Sequence, residues 1–177
     1  MLERFKVPEK NRVYVEVDSM RHVTEAIFQK QGLSTEEAKI STDVLIINDL
    51  RGVESHGVSN GLRRYVSEYS SKNLNPRPNF KVIRETKTTM TVDADKALGI
   101  HVGPWAMEQA IKRAKDYGIG AVSVYNTGHL AGCGYYAMMA AEEDMVGHCM
   151  TAGGAYQTVP PFGSSPVMVT NPMAWAA

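Results

Sequence analysis

The chain has 177 residues, with 19 basic and 19 acidic side chains and a formal net charge of zero. That length can bury a real core in one domain, or in one domain with an appendage. Balanced charge speaks against nucleic acid, whose binders carry a clustered surplus of Lys and Arg. No apolar run approaches the roughly 20 residues that cross a bilayer, and the opening Met1-Leu2-Glu3-Arg4-Phe5-Lys6 lacks the apolar stretch of a signal peptide. Two cysteines, Cys133 and Cys149, are too few for a disulfide framework. They fit a reducing compartment and are expected to stay reduced, without a metal or redox role. The expectation is a soluble, cytoplasmic protein.

In chain order, residues 12–17 alternate in polarity and predict a short strand. Asp18 or Ser19 is placed to cap a helix over about 20–31, ended by Gly32. Ser34-Thr35-Glu36-Glu37 reads as a capping box, with a helix behind it running to about Leu50. After Gly52 a second short helix is predicted over 62–71, and Asn75-Pro76-Arg77-Pro78 is a stiff extended connector. The texture then becomes α/β. Residues 80–85 and 88–93 suit a hairpin, 102–117 an amphipathic helix stopped by Gly118, and 119–125 a buried strand. A helix over 134–144 and a buried strand over 145–151 follow, and residues 160–166 read as a loop. The last five residues, Met173-Ala174-Trp175-Ala176-Ala177, are apolar and read as an element entering a core, so the sequence reads as stopping in mid-fold.

Three clusters carry candidate chemistry. Arg51-Gly52-Val53-Glu54-Ser55-His56-Gly57-Val58-Ser59-Asn60, with Arg63, Arg64 and Tyr65 behind it, sets a titratable imidazole on a turn beside arginines suited to a carboxylate. The same residues also suit a solvated face on which His56 only caps a turn. Asn126-Thr127-Gly128-His129-Leu130-Ala131-Gly132 follows a predicted strand, where ligands of open α/β sheets bind. His129 is then either an acid–base group or a satisfied loop histidine. Thr151-Ala152-Gly153-Gly154 and Thr170-Asn171-Pro172 offer amides and small polar groups to a cofactor or carboxylate, as ordinary turns do.

Gly132-Cys133-Gly134-Tyr135-Tyr136-Ala137 matches the loose dinucleotide pattern. Six residues separate it from the strand end, and no acidic residue stands about 20 positions on to hold a ribose, so a Rossmann site is rejected. Those glycines read instead as allowing close backbone approach at a helix start. His101 lies near a helix start, which disfavours its charged form. No ligand spacing suggests a metal.

Taken together, Asp49 to Ser59, Asn126-Thr127-Gly128-His129, Gly134-Tyr135-Tyr136-Ala137 and Thr170-Asn171-Pro172 resemble the malate/L-lactate dehydrogenase family, from about Val17 to the last residue. The resemblance implies an α/β fold: a helical N-terminal segment over 1–78 and, over 79–177, the first part of a mixed-sheet, non-Rossmann NAD(P)-binding domain truncated at its C-terminal end. It implies an enzyme that passes a hydride between NAD or NADP and a small 2-hydroxy or 2-oxo acid, as a homodimer in full-length form. By the same resemblance Ser55, His56 and His129 fall at the catalytic positions. Asn60, Arg63, Arg64, Tyr65 and Thr170 fall at substrate positions, and His129, Leu130, Ala131, Gly132, Cys133 and Gly153 along the cofactor. Many members carry Arg or His where Asn60 stands, so Arg63 or Arg64, with Arg51 behind them, is expected to supply the charge. Other readings are an inactive fragment or binding module derived from such an enzyme, and a cyclic imine-acid reductase.

Overall fold

A computed structural model describes residues 8–153, 156 and 158–177; Gly154, one of the cofactor-loop candidates, lies outside them. Residues 12–16 form no strand. Val13 and Tyr14 are 85% and 86% exposed, and an alternating segment stays a strand only where a ladder partner takes its amides. Helix α1, Val17–Lys30, begins earlier than expected, and neither Asp18 nor Ser19 caps it: Glu16 is the N-cap and makes no side-chain bond. Helix α2, Thr35–Leu50, opens on the expected box. The Glu37 amide donates to Ser34 Oγ at 3.3 Å, and the Ser34 amide donates to Glu37 Oε2 at 2.6 Å.

Helix α3, Val58–Ser70, starts a turn earlier than the sequence suggests, because Asp49 caps it from α2. Strands β1, Lys81–Glu85, and β2, Thr89–Ala97, form the expected antiparallel hairpin. Helix α4, Gly99–Tyr117, crosses over to β3, Ala121–Thr127, which pairs parallel with β2 in the order β1-β2-β3. Gly118 stops α4 at a φ of 80°, as its position predicts. The expectation of a buried strand at 119–125 is corrected: β3 lies at the sheet edge, with Val122 and Val124 half-buried and Tyr125 exposed. A parallel strand is buried on both faces only when both are covered.

Helix α5, Cys133–Ala141, leads into β4, Gly147–Met150, which pairs antiparallel with β5, Met173–Ala176. The second buried-strand expectation is also corrected, since Met150 is 67% exposed. The apolar end of the chain pairs in a sheet without entering a core: Met173 and Trp175 are each 66% exposed, and Trp175 stacks on His148 at 3.9 Å.

The main core draws on both sides of residue 78. Phe28, Val44, Leu45, Tyr65 and Tyr69 of the three N-terminal helices pack with Leu98, Ile100, Ala131 and Tyr136. This shared core seats the α3 helix against the loop between β3 and α5. A smaller cluster, Ala94, Ala97 and Val102 with Trp105 and Val124, fastens α4 to the sheet. His101 is buried, and burial is what lowers its pKa, against the pull of Glu37. The direction matches the sequence expectation; the dominant cause is desolvation. No described helix is long and apolar enough to cross a membrane.

Candidate active site

The first loop of the site is built from the end of α2. Beyond Leu50 the chain turns at Gly52 and makes one 3-10 turn, Glu54–His56, before α3 begins. Asp49 Oδ2 accepts the Val58 amide at 2.8 Å, satisfying a donor that the helix start leaves unpaired. Burial raises the Asp49 pKa, with the Val58 amide opposing it. A Cβ at Gly57 would stand 1.7 Å from Asp49 Oδ1, so the Asp49 carboxylate would have to shift to make room. Asn48, 4% exposed, donates from Nδ2 to the His56 carbonyl at 3.4 Å. Its other atom, Oδ1, lies 2.6 Å from where a Cβ on Gly132 would sit. One buried amide therefore touches both loops of the site.

The second loop runs from β3 to α5. Its imidazole, His129, stacks on His56 with ring centroids 5.6 Å apart and planes 18° apart. The two candidate histidines, distant in sequence, are thus brought side by side. Ser55 Oγ lies 2.8 Å from His56 Nδ1. Tyr65 Oη, from α3, lies 2.8 Å from His129 Nδ1, and the Ala131 amide donates to the same nitrogen at 3.2 Å. Ala131 takes a left-handed φ of 57°, which is costly for a residue with a Cβ. Desolvation, then the nearby charges of Arg64 and His56, pulls the His129 pKa down to about 4. Burial raises the Tyr65 phenol well above its ordinary range.

The substrate candidates separate. Ser59, Asn60, Arg63, Arg64 and Ser67 line an open groove of about 490 Å³ along α3. Neither imidazole lines that groove, although Arg64 is near enough to act on His129. Asn60 is occupied in closing its own turn, donating to the Glu54 carbonyl at 2.9 Å. Arg64 pairs with Glu68 at 2.8 Å, whereas Arg63 is exposed and makes no ion pair among the described residues. Tyr65 is 1% exposed, with its hydroxyl on His129. Arg51 is exposed at the end of α2.

The cofactor candidates meet at the start of α5. Ala131 and Cys133 are buried and Leu130 packs on the core, so only their backbone is available to a ligand. The Thr151 amide donates to the Pro172 carbonyl at 3.1 Å, and Cys133 Sγ approaches the same oxygen at 3.9 Å. These contacts bring the loops carrying Gly153 and Thr170 to that helix start. No bond joins Thr170 to either histidine, and nothing lies within 4 Å of a Cβ built on Gly134 or Gly153. Cys133 and Cys149 are free thiols; burial raises both, Cys149 to about 12.

The whole of residues 15–177 matches the malate/L-lactate dehydrogenase family. The chain belongs to that family. It is 43% identical over 177 residues to the malate dehydrogenase of Pyrococcus horikoshii, covering 100% of this chain and 48% of that protein. The solved structure of the P. horikoshii OT3 malate dehydrogenase superimposes with a TM-score of 0.92 at 42% identity, over 100% of this chain and 50% of that one. The sulfolactate dehydrogenase of Methanocaldococcus jannaschii gives a TM-score of 0.86 at 34% identity, over 92% of this chain and 47% of that one. The ureidoglycolate dehydrogenase (NAD(+)) of Escherichia coli is 29% identical over 161 residues, 90% of this chain and 45% of that protein. The chain spans about half the length of the relatives it matches. Membership of this family accords with the mixed sheet and with rejection of the Rossmann pattern.

Sequence reading missed Asn48. It stands one residue before the family-like segment, in a helix whose neighbours Leu45, Ile46 and Ile47 are apolar. A lone amide on such a face was the available signal, but only the tertiary structure shows that it joins two loops.

Proposed function

We propose that this chain carries the substrate-side residues of an oxidoreductase that transfers a hydride between NAD or NADP and C2 of a small 2-hydroxy or 2-oxo acid, of the malate or lactate kind. The observation that carries this reading is the pair of imidazoles at 5.6 Å, one of them on the turn that leads into α3, with Arg64 of that helix near enough to act on His129. Oxidising a 2-hydroxy acid requires removal of the hydroxyl proton as the C2–H bond breaks, and a cation to hold the carboxylate. An imidazole of the pair takes the proton, and Arg63, which makes no ion pair among the described residues, is the cation for the carboxylate. The NAD(+) in the name of the ureidoglycolate relative, and the hydroxy-acid names of the others, support the same reaction class.

The backbone of Leu130 to Gly134, with Gly153, is the stretch that would hold the nicotinamide nucleotide. When bound, that cofactor supplies the hydride acceptor or donor. The protein's own part is to hold the acid's carboxylate, move one proton and keep the carbon in line. Asn60 helps indirectly, by closing the turn that presents His56. Malate, sulfolactate and ureidoglycolate carry different groups beyond C2, and the groove along α3 is where this chain would distinguish them.

The test is the fall in absorbance of NADH or NADPH with the purified full-length enzyme and a panel of 2-oxo acids. Consumption of reduced cofactor that depends on one of these acids supports the reading. No consumption with any of them, under conditions in which the P. horikoshii relative turns over, overturns it.

A further inference from the structure

The last turn of α2 holds the His56 turn at three points. The Asn48 carbonyl accepts the Val53 amide at 2.8 Å, and Asn48 Nδ2 donates to the His56 carbonyl at 3.4 Å. Asp49 Oδ2 accepts the Val58 amide at 2.8 Å. Of these groups, the Asn48 amide also faces the second loop. Gly132, the N-cap of α5, has φ −84° and ψ 122°, an extended conformation open to any residue. Backbone strain therefore does not account for a glycine at this position; space does. The three atoms nearest to a Cβ built there all belong to Asn48: Oδ1 at 2.6 Å, Cγ at 3.3 Å and Nδ2 at 3.4 Å. The amide occupies the room that a side chain at position 132 would need.

We propose that Asn48 is a positioning residue whose amide is the spacer between the His56 turn and the Leu130–Gly134 backbone, so that a displacement of either loop is passed to the other. It acts through the two loops, with no contact of its own to acid or nucleotide. The proposal rests on the hydride-transfer reading above for what each loop holds: the acid against the His56 turn, the nucleotide along Leu130 to Gly134. Reacting groups must meet within a narrow range of separation, and a misplacement of about 1 Å can cost about 10²-fold in rate. Helix α2 is suited to set such a separation. Val44 and Leu45 are fully buried and Ile46 is 3% exposed, so the helix cannot yield without opening the core. Asn48 itself is 4% exposed, and burying an amide in this apolar stretch is costly unless it is bonded. The His56 carbonyl supplies that bond, which ties the spacer to the turn it holds.

The test is a double-mutant cycle in the full-length enzyme, comparing the unaltered protein with Asn48→Ala, Gly132→Ala and the two changes together. Gly132→Ala lies in the nucleotide loop, yet with Asn48 in place it should raise KM for the 2-oxo acid at least fivefold at saturating cofactor. On the Asn48→Ala background the same change should alter that KM less than twofold, because the atoms it would strike are gone. An equal fold-change on both backgrounds overturns the proposal. So does an Asn48→Ala enzyme that loses stability while its KM stays unmoved, since that is what a merely structural amide would show. Two further arms do not depend on turnover. Urea midpoints should show a loss in Gly132→Ala that is absent when the same change is made on Asn48→Ala. Should Gly132→Ala alone fail to fold, recovery of folding by adding Asn48→Ala reads the same way, and no recovery overturns the shared space. In protein carrying 15N-labelled histidine, Gly132→Ala should move the His56 resonances only where Asn48 is present. Equal movement on both backgrounds assigns the transmission to the His129 stack and overturns the spacer. If no 2-oxo acid is reduced while these two arms behave as described, the reaction class fails and the link between the loops through Asn48 stands.

Discussion

The His56 turn and the His129 loop contribute similar rings to one place, yet one is held by its neighbours in sequence and the other by distant parts of the fold. His56 is bonded to the adjacent Ser55, and its turn is closed by Asn60 reaching back to the Glu54 carbonyl. His129 depends on Tyr65 of α3, 64 positions away, and on an Ala131 backbone forced into the left-handed region. One nitrogen of His56 meets a single rotatable hydroxyl, whereas one nitrogen of His129 meets both the Tyr65 hydroxyl and the Ala131 amide. The comparison teaches that equivalent residues at a site are distinguished by their supports.

The largest effect expected from breaking this comparison is at the imidazole pair itself. His56→Ala and His129→Ala each remove one of the two rings proposed to take the proton, and the one that does so should lower kcat in the full-length enzyme by about 10²–10⁴-fold, the usual span for losing a positioned acid–base group. Steady-state rates with a 2-oxo acid check both. A His56→Ala enzyme with nearly unchanged kcat would remove His56 from the chemistry.

The groove on α3 sharpens the same contrast between committed and free groups. Arg64 is occupied by Glu68 at 2.8 Å, while Arg63 has no ion pair among the described residues. A charge-assisted bond to a carboxylate is worth about 1.5–3 kcal/mol. Arg63→Ala should therefore raise KM by roughly 10–100-fold, with Arg64→Ala well below that. An unchanged KM in Arg63→Ala would move the carboxylate to another cation, with Arg51 the next to test.

What could be read from the sequence followed the same division. The capping box at Ser34, the helix stop at Gly118 and the β1–β2 hairpin rest on residues within a few positions of one another, and all three appear where expected. The Ser55–His56 pair is local in the same sense. Residues 12–16 failed as a strand because the pattern was there and the partner was not. The edge position of β3, the capping of α3 by Asp49 and the grip of Tyr65 on His129 are long-range facts with no local signature. The nearness of Tyr65 to the arginines is legible in the sequence, but the direction of its hydroxyl, toward His129, is not.

A smaller, structural effect tests how the His56 turn is anchored. In Gly57→Ala the new Cβ would overlap Asp49 Oδ1, and the carboxylate must leave the Val58 amide to make room. Overpacking of this kind costs about 1–3 kcal/mol, and in a protein of this size each kcal/mol lowers Tm by about 2–4 °C. Thermal unfolding followed by circular dichroism measures it. An unchanged Tm would mean that Asp49 moves without loss and is no anchor.

The smallest expected effect is the pH dependence that His129 imposes on folding. Its pKa is about 4 in the folded chain, against an ordinary value of 6.5, chiefly because burial disfavours the imidazolium, with Arg64 and His56 adding and Glu68 opposing. Between those two values the unfolded chain binds the proton and the folded chain does not. Stability therefore falls as pH drops from 6.5 to about 4, and this contribution is fully present only above 6.5. His101, also lowered by burial, adds to the same slope. Replacing His129 by Gln removes one titrating group while keeping a donor, so urea midpoints measured across this window should fall less steeply with decreasing pH in the variant. An identical slope in the two proteins would show that His129 takes up its proton as readily folded as unfolded.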